Sequence, residues 1–257
     1  MKTFSDGDWV LLTTDKGKNW LVRLIHGEYF SCHLGTIAHD EIIGKQEGDE
    51  WITPKGQKIF FFSPTLTDFL FHIKRRTQII YPKDIGAILC YGDIRPHMSV
   101  LESGVGSGAL TVFLLAYLAG CGILVSVEAR EEFAKLAENN IRRVFGKKPD
   151  NWHLVVSDIE LPGISAQFDR LILDLPEPWK AVPSATPLLK RGGILVSLSP
   201  QISQIQWVNR ELKKQGFRFI QVFEILKRDW YVDEKRLRPM DRMVAHTGFL
   251  IVARKTY

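Results

Sequence analysis

Val100-Leu101-Glu102-Ser103-Gly104-Val105-Gly106-Ser107-Gly108-Ala109-Leu110-Thr111 is the stretch on which the fold turns. A short apolar run ends in an acid, passes through glycines at alternate positions and enters residues that favour a helix. Glycine lets a backbone turn sharply and approach a ligand, and the first N–H groups of a helix favour an anionic group. The spacing is G-x-G-x-G, whereas a dinucleotide fingerprint needs a third glycine where Ala109 stands. No G-K-[ST] follows, which excludes a P-loop.

Outward from this loop, strand-like and helix-like runs alternate. Strands are expected at Ser99–Glu102, Ile123–Glu128, His153–Ser157, Phe168–Asp174 and Gly193–Ser199, with helices over 107–119, 131–145, 179–190 and 201–215. Helices over Pro64–Arg76 and Pro82–Tyr91 precede them. Strands separated by helices of this length imply βαβ units, hence a mostly parallel sheet covered on both faces. Leu110–Val127 carries no charge and approaches the ~20 residues of a membrane span. Gly120-Cys121-Gly122 divides it into a helix-forming and a β-branched half, so a buried helix, a turn and a buried strand are expected. Phe217–Leu226 and Thr247–Ala253 lack a long helix between them and predict an antiparallel C-terminal hairpin at one sheet edge.

Residues 1–63 differ. Short strand-like runs such as Trp9-Val10-Leu11-Leu12 and Trp20-Leu21-Val22 lie between turn signals at Gly17, Gly27, Gly35, Gly44, Gly48 and Gly56, the pattern of a small N-terminal β domain. Residues 64–257 then form the α/β domain. Cys32, His33 and His39 lack a fourth partner for a metal site, and none is expected.

Composition sets the outer limits. At 257 residues, 45% hydrophobic and 25% charged, the chain is neither disordered nor collagen-like nor built of several membrane spans. The scattered Cys32, Cys90 and Cys121 form no disulfide framework, and the amino end shows no apolar leader, so a cytoplasmic protein with no membrane partner is expected. The net charge of +5 hides an asymmetry, because residues 201–257 alone carry 12 basic against 6 acidic side chains.

Acids recur where the strands end: Glu102, Glu128, Asp158 and Asp174. One such acid caps a helix as readily as it binds a ligand, but ligands of open α/β sheets bind at the carboxyl edge that all of them share. Glu128 is placed to accept bonds from ribose hydroxyls. Asp158 is placed to accept from an adenine amino group, with Ile159 offering a backbone contact and an apolar wall. Asp174 opens Asp174-Leu175-Pro176-Glu177-Pro178-Trp179, whose prolines restrict the turn that presents it.

In this ordered combination the chain resembles class I S-adenosylmethionine-dependent methyltransferases, with their Rossmann-like sheet. A carboxylate-rich rim suits a cationic sulfonium better than a polyphosphate. The resemblance implies that Gly104, Gly106, Ser107, Gly108, Ala109, Leu110 and Thr111 wrap the methionine part, that Glu128 holds the ribose, that Phe133 lines the adenine pocket and that Asp158 reads the adenine amino group. Glu102, the first acid of the motif, is counted with the cofactor site.

Three further stretches narrow the resemblance: Asp174–Trp179, Gln78-Ile79-Ile80-Tyr81-Pro82-Lys83-Asp84, and Arg242-Met243-Val244-Ala245-His246-Thr247-Gly248-Phe249-Leu250. They are similar to motifs of the TrmI/Trm61 family of tRNA (adenine-58-N1)-methyltransferases. That resemblance implies S-adenosylmethionine as cofactor, tRNA as partner and a homotetramer. Adenine N1 carries a free lone pair at neutral pH, so the reaction needs placement and charge control rather than an obligatory base. A carboxylate accepting from the N6 amino group supplies both. Asp174 is the candidate catalytic group. Tyr81 either pins the target base or packs beneath the helix that starts at Pro82. Arg242 and His246 are candidate substrate contacts, and His246 has the alternative of buttressing the last strand. Rival readings are a noncatalytic RNA-binding subunit, a class I methyltransferase with another substrate, and a nicotinamide-dependent oxidoreductase.

Overall fold

The computed structural model describes residues 2–76, 78–160 and 163–257. The chain divides into two compact units, one ending at Ile73 and the other beginning at Lys74.

In the first unit, β1 (Trp9–Thr14), β2 (Asn19–Arg23), β3 (Tyr29–Cys32), β4 (Gly35–Ala38), β5 (Glu50–Ile52) and β6 (Lys58–Phe62) are short and antiparallel. Four of them form a sheet in the order β2-β1-β6-β5, and β3 pairs with β4. The core is Phe4, Val10, Leu12, Leu24, Leu34, Ile37, Ile42, Ile59 and Phe61. Helix α1 (Leu66–His72) is shorter than the 64–76 expected from sequence. Thr65 and Asp68 cap its start reciprocally, and Ile73 turns extended at its end (ψ 139°). Phe69 of α1 meets the edge of Trp9 at 6.0 Å, so this helix packs with the β module, and the contact boundary lies ten residues beyond the composition change at position 63.

The second unit contains α2 (Pro82–Tyr91), β7 (Ser99–Ser103), α3 (Ala109–Leu118), β8 (Ile123–Glu128), α4 (Glu131–Phe145), β9 (Trp152–Val156), β10 (Phe168–Leu173), α5 (Pro178–Ala185), β11 (Leu189–Ser199), α6 (Ile202–Lys214), β12 (Phe217–Phe223), β13 (Trp230–Val232), β14 (Leu237–Pro239) and β15 (Phe249–Lys255). Its seven-stranded sheet runs β12-β15-β11-β10-β7-β8-β9. The five strands from β11 to β9 are parallel, and β15 is antiparallel to both its neighbours. The two strands that read as a terminal hairpin do pair, and β13 and β14 form a second small hairpin within their connection. The expected helix over 179–190 stops at Ala185. One turn at Thr186–Leu188 leads into β11, which begins at Leu189, four residues before the expected strand start at Gly193. Gly192 takes φ +77° there, and the β10–β11 register shifts between Phe168 and Arg170.

Buried side chains explain why the sheet holds. Leu171, Leu173, Leu195, Ile251 and Ala253 face Ala181, Val182, Ile205, Val208 and Leu212 of α5 and α6. Helix α3, apolar nearly all round, is buried as the uncharged run requires. Among the described residues no helix is long and apolar enough to cross a membrane. From β7 the chain winds to β8 and β9 on one side, then returns to β10 on the other. The crevice between the carboxyl ends of β7 and β10 is therefore the topological switch point, where ligands of such sheets bind.

Candidate active site

The glycine-rich loop is fixed at that switch point by backbone bonds on both sides. Gly104 N–H donates to the Val127 carbonyl at 3.0 Å, and Asp174 N–H donates to the Ser103 carbonyl at 2.9 Å. Gly104 has φ +89°, and a Cβ there would lie 1.9 Å from the Asp174 carbonyl oxygen. Only glycine lets the β7 and β10 turns approach this closely. Gly108 precedes α3 with φ +81°, and its Cα hydrogen side rests against Ala137 of α4.

Beside the loop lies a cavity of about 690 Å³, a size typical of small-molecule sites. It is lined by Gly104, Gly106, Ser107, Ala109 and Leu110 from the loop and α3, by Glu128 after β8, by Asp158 and Ile159 after β9, and by Asp174 after β10. Nine of the residues singled out in the sequence thus share one wall system. The cavity also takes in Gln78, Ile79, Ile80 and Glu177 from two of the motifs quoted above, and Arg130, Lys180 and Pro200, which sequence reasoning did not select. Arg130 had a usable signal in its position two residues beyond the strand-end Glu128. Pro200 had none beyond its place after β11.

Glu128 is nearly fully buried and already organised: it accepts from Gly106 N–H (3.0 Å), Arg130 N–H (3.2 Å) and Arg130 Nε (3.3 Å). Arg130 lies over the ring of Phe133 at 3.8 Å. It is Arg130 that borders the cavity, with Phe133 supporting it from below. Asp158 accepts from Glu160 N–H at 3.0 Å through one of its oxygens.

Glu102 and Thr111 lie under the loop rather than in the cavity. Glu102 is 1% exposed and accepts from Thr111 Oγ1 (2.9 Å) and Ser126 Oγ (2.7 Å), and the Trp152 indole donates to Ser126 at 3.0 Å. Burial pushes the Glu102 carboxyl up to about 7, against the opposing effect of its two hydroxyl donors. Asp174 is likewise pushed up to about 7, first by burial and then by the nearby charge of Glu128. Carboxylates outnumber basic groups along the cavity, and among the described residues none forms an ion pair with Asp174, a setting that favours a cation over an anion.

Tyr81 caps the start of α2 and is half-buried, next in sequence to the cavity-lining Ile80. His246 sits between two acceptors, Glu224 Oε2 at 3.0 Å from Nδ1 and the Pro200 carbonyl at 2.8 Å from Nε2. Glu224 foremost, and Pro200 after it, raise the His246 pKa. His246 therefore ties the start of β15 to the cavity-lining Pro200. Its neighbour Thr247 bonds Asp84 and Lys83, joining the last sequence motif to the Tyr81–Asp84 motif. Arg242 is exposed. Among the described residues no three His, Cys, Asp or Glu side chains converge as a metal ion would require.

A doubly wound sheet with a terminal antiparallel pair, a G-x-G-x-G turn at its switch point and an acid after each neighbouring strand defines the class I methyltransferase architecture. Within that class the chain belongs to the GCD14 family, described as the tRNA methyltransferase complex GCD14 subunit, whose model matches residues 58–247. A TrmI-like N-terminal model matches residues 3–49. The chain is 35% identical over 247 residues to the tRNA (adenine(58)-N(1))-methyltransferase TrmI of Thermus thermophilus, covering 96% of each. Among solved structures it is similar to an S-adenosylmethionine-dependent O-methyltransferase from Thermotoga maritima (TM-score 0.93, 36% identity, 99% of this chain and 95% of that one). It is also similar to the tRNA methyltransferase TrmI of Aquifex aeolicus (TM-score 0.86, 30% identity, all of both chains).

Proposed function

We propose that this protein transfers a methyl group from S-adenosylmethionine to N1 of adenine 58 in the T-loop of tRNA. The observation that carries the reading is the apposition of the Gly104 turn and Asp174 across one cavity, in a chain whose relatives in the family are named for this reaction. The residues present fit the cofactor. Five carboxylates, Glu128, Asp158, Glu160, Asp174 and Glu177, line the cavity against two basic groups, Arg130 and Lys180, which pair with Glu128 and Glu177, a balance that suits a cationic sulfonium.

When bound, the cofactor supplies an electrophilic methyl group on a positively charged sulfur. Glu128, held by Gly106 and Arg130, would accept from the ribose hydroxyls, and Asp158 with Ile159 would hold the adenine moiety. Asp174 accepts from the N6 amino group of the target base. This points N1 at the methyl group and offsets the positive charge that N1-methylation creates on the base. Tyr81 holds the base in plane, and Arg242 contacts the RNA. His246 acts from behind, fixing Pro200 at the cavity wall. Glu102, beneath the loop, positions it through Thr111. A target base already packed in a folded tRNA must be flipped out at a cost of about a few kcal/mol, which contacts to the RNA backbone offset.

The assembly we propose is a homotetramer in the cytoplasm. Support for self-association comes from Phe219 and Val222 on the edge strand β12 and from Val232 and Leu237 on the small hairpin, all of them exposed apolar side chains. The reaction is tested with an unmodified tRNA transcript, labelled cofactor and digestion to nucleosides. 1-Methyladenosine is the expected product, and its absence overturns the reading. Asp174→Ala should abolish turnover while the protein still folds, which also separates a catalytic chain from a noncatalytic RNA-binding subunit.

A further inference from the structure

A second cleft, of about 400 Å³, opens between α5 and α6 and is lined by Trp179, Trp207, Arg210, Glu211 and Lys214. The two indoles meet edge to face, with ring centroids 4.6 Å apart and planes at 64°. Trp207 nonetheless remains 49% exposed, a large aromatic surface left to solvent on a helix that has an ample core face of its own. Ile205, Val208 and Leu212 form that face; Trp207, Arg210 and Lys214, three and four residues apart, form an outward stripe. Lys214 is paired with Glu211 at 2.8 Å, while Arg210 has no ion-pair partner among the described residues. The cleft therefore offers an aromatic face together with two basic groups, Arg210 and Lys214, against the single carboxylate of Glu211.

Helix α5 joins the cleft to the catalytic crevice: Trp179, in its first turn, follows the Asp174–Glu177 segment and precedes Lys180, and Glu177 and Lys180 line the main cavity.

We infer that the Trp179–Trp207 cleft is an RNA subsite in which an unpaired base of the substrate, outside the catalytic cavity, stacks on Trp207 while the adjoining phosphate meets Arg210. Aromatic faces accept any base, and an arginine beside them answers the backbone charge, which is the usual composition of single-strand contacts. The inference rests on the reading of tRNA as substrate. It assigns the cleft to RNA rather than to a second copy of the chain, because two basic groups against one carboxylate at the rim favour a polyanion.

The test measures binding of an unmodified tRNA transcript to the full chain at several salt concentrations, alongside calorimetry with S-adenosylhomocysteine. Stacking of one base on one aromatic corresponds to a change of between about 5- and 150-fold in affinity. Trp207→Ala should weaken tRNA binding within that range, Trp207→Phe should recover most of it, and the homologue of the cofactor should bind all three proteins equally. Arg210→Gln should lower the slope of log affinity against log salt by about one contact. If Trp207→Ala binds tRNA as the parent does, the subsite is refuted while the substrate stands. If the variant changes the sedimentation of the free protein, the cleft is an interface between copies and the inference is overturned. If the parent itself binds no tRNA, the substrate reading fails with it.

Discussion

Replacing Gly104 by alanine separates backbone strain from collision, and the structure gives a magnitude for each. The left-handed φ of +89° costs an L-residue about 1–2 kcal/mol. The added methyl would also lie 1.9 Å from the Asp174 carbonyl oxygen and 2.7 Å from its carbon, both backbone atoms. Relieving the first contact moves the β7 and β10 turns apart by roughly 1 Å, with a repacking cost of about 1–3 kcal/mol. Together these lower stability by about 2–5 kcal/mol, which shortens but need not abolish the folded range. The larger effect falls on function, since a displacement of that size at the residue presenting the carboxylate costs about 100-fold in rate. Gly146→Ala is the matched control: φ is +77° and nothing lies within 4 Å of the new methyl group, so only the strain applies. Thermal melts, calorimetry with S-adenosylhomocysteine and initial rates of tRNA methylation should show both variants destabilised and only Gly104→Ala inactive. Rates for Gly104→Ala within twofold of the parent would refute the claim that this approach sets the site.

Other outcomes follow from the same geometry. Glu102 and Asp174, both raised to about 7, keep protons that the unfolded chain releases near pH 4, so their contribution makes the ligand-free protein less stable as pH rises from about 4 to 7. Denaturant melts over that range check the sign, and Asp174→Asn should flatten the dependence. On the proposed reading the cationic cofactor lies near ionised Asp174, so its affinity should rise between pH 6 and 8 while that of neutral S-adenosylhomocysteine changes less; parallel profiles would contradict that proximity. Glu128→Ala removes charge-assisted bonds worth about 1.5–3 kcal/mol each and should weaken S-adenosylhomocysteine binding at least tenfold by calorimetry. Ser126→Ala leaves Glu102 and the Trp152 indole short of a partner and should cost about 1–3 kcal/mol in denaturant melts, with cofactor affinity reduced less than in Glu128→Ala.

Periodicity and capping were legible where local and tertiary preferences agree. The sequence boundaries Pro82–Tyr91, Ile123–Glu128 and 131–145 coincide with α2, β8 and α4. They failed between 186 and 192, where the expected helix over 179–190 ends at Ala185 and β11 begins at Leu189, absorbing Gly192 as an irregularity. In the site, strand-end acids could be found but not their orientation. Glu128 is the last residue of β8 and Glu102 the last but one of β7, and Ser126 and Thr111 hold Glu102 inward while Glu128 faces the cavity. Phe133 had the right helix and the wrong layer, since Arg130 lies across it. Trp207 gave no signal because an outward residue on an amphipathic helix is distinguished only by what stands beside it in space.

The place of β15 between β11 and β12 has a consequence for synthesis. A ribosome releases β12 before β15 exists, so β12 has no neighbour to pair with and the flank of β11 stays open until Phe249–Lys255 emerges. The cofactor half, from β7 to β10, needs no residue beyond Leu173 for its strand pairing, but the wall at Pro200 is locked only when His246 arrives. Nascent chains of this protein thus expose an unsatisfied β edge until β15 is made, and any product that ends before Phe249 is a template for aggregation rather than a slower enzyme.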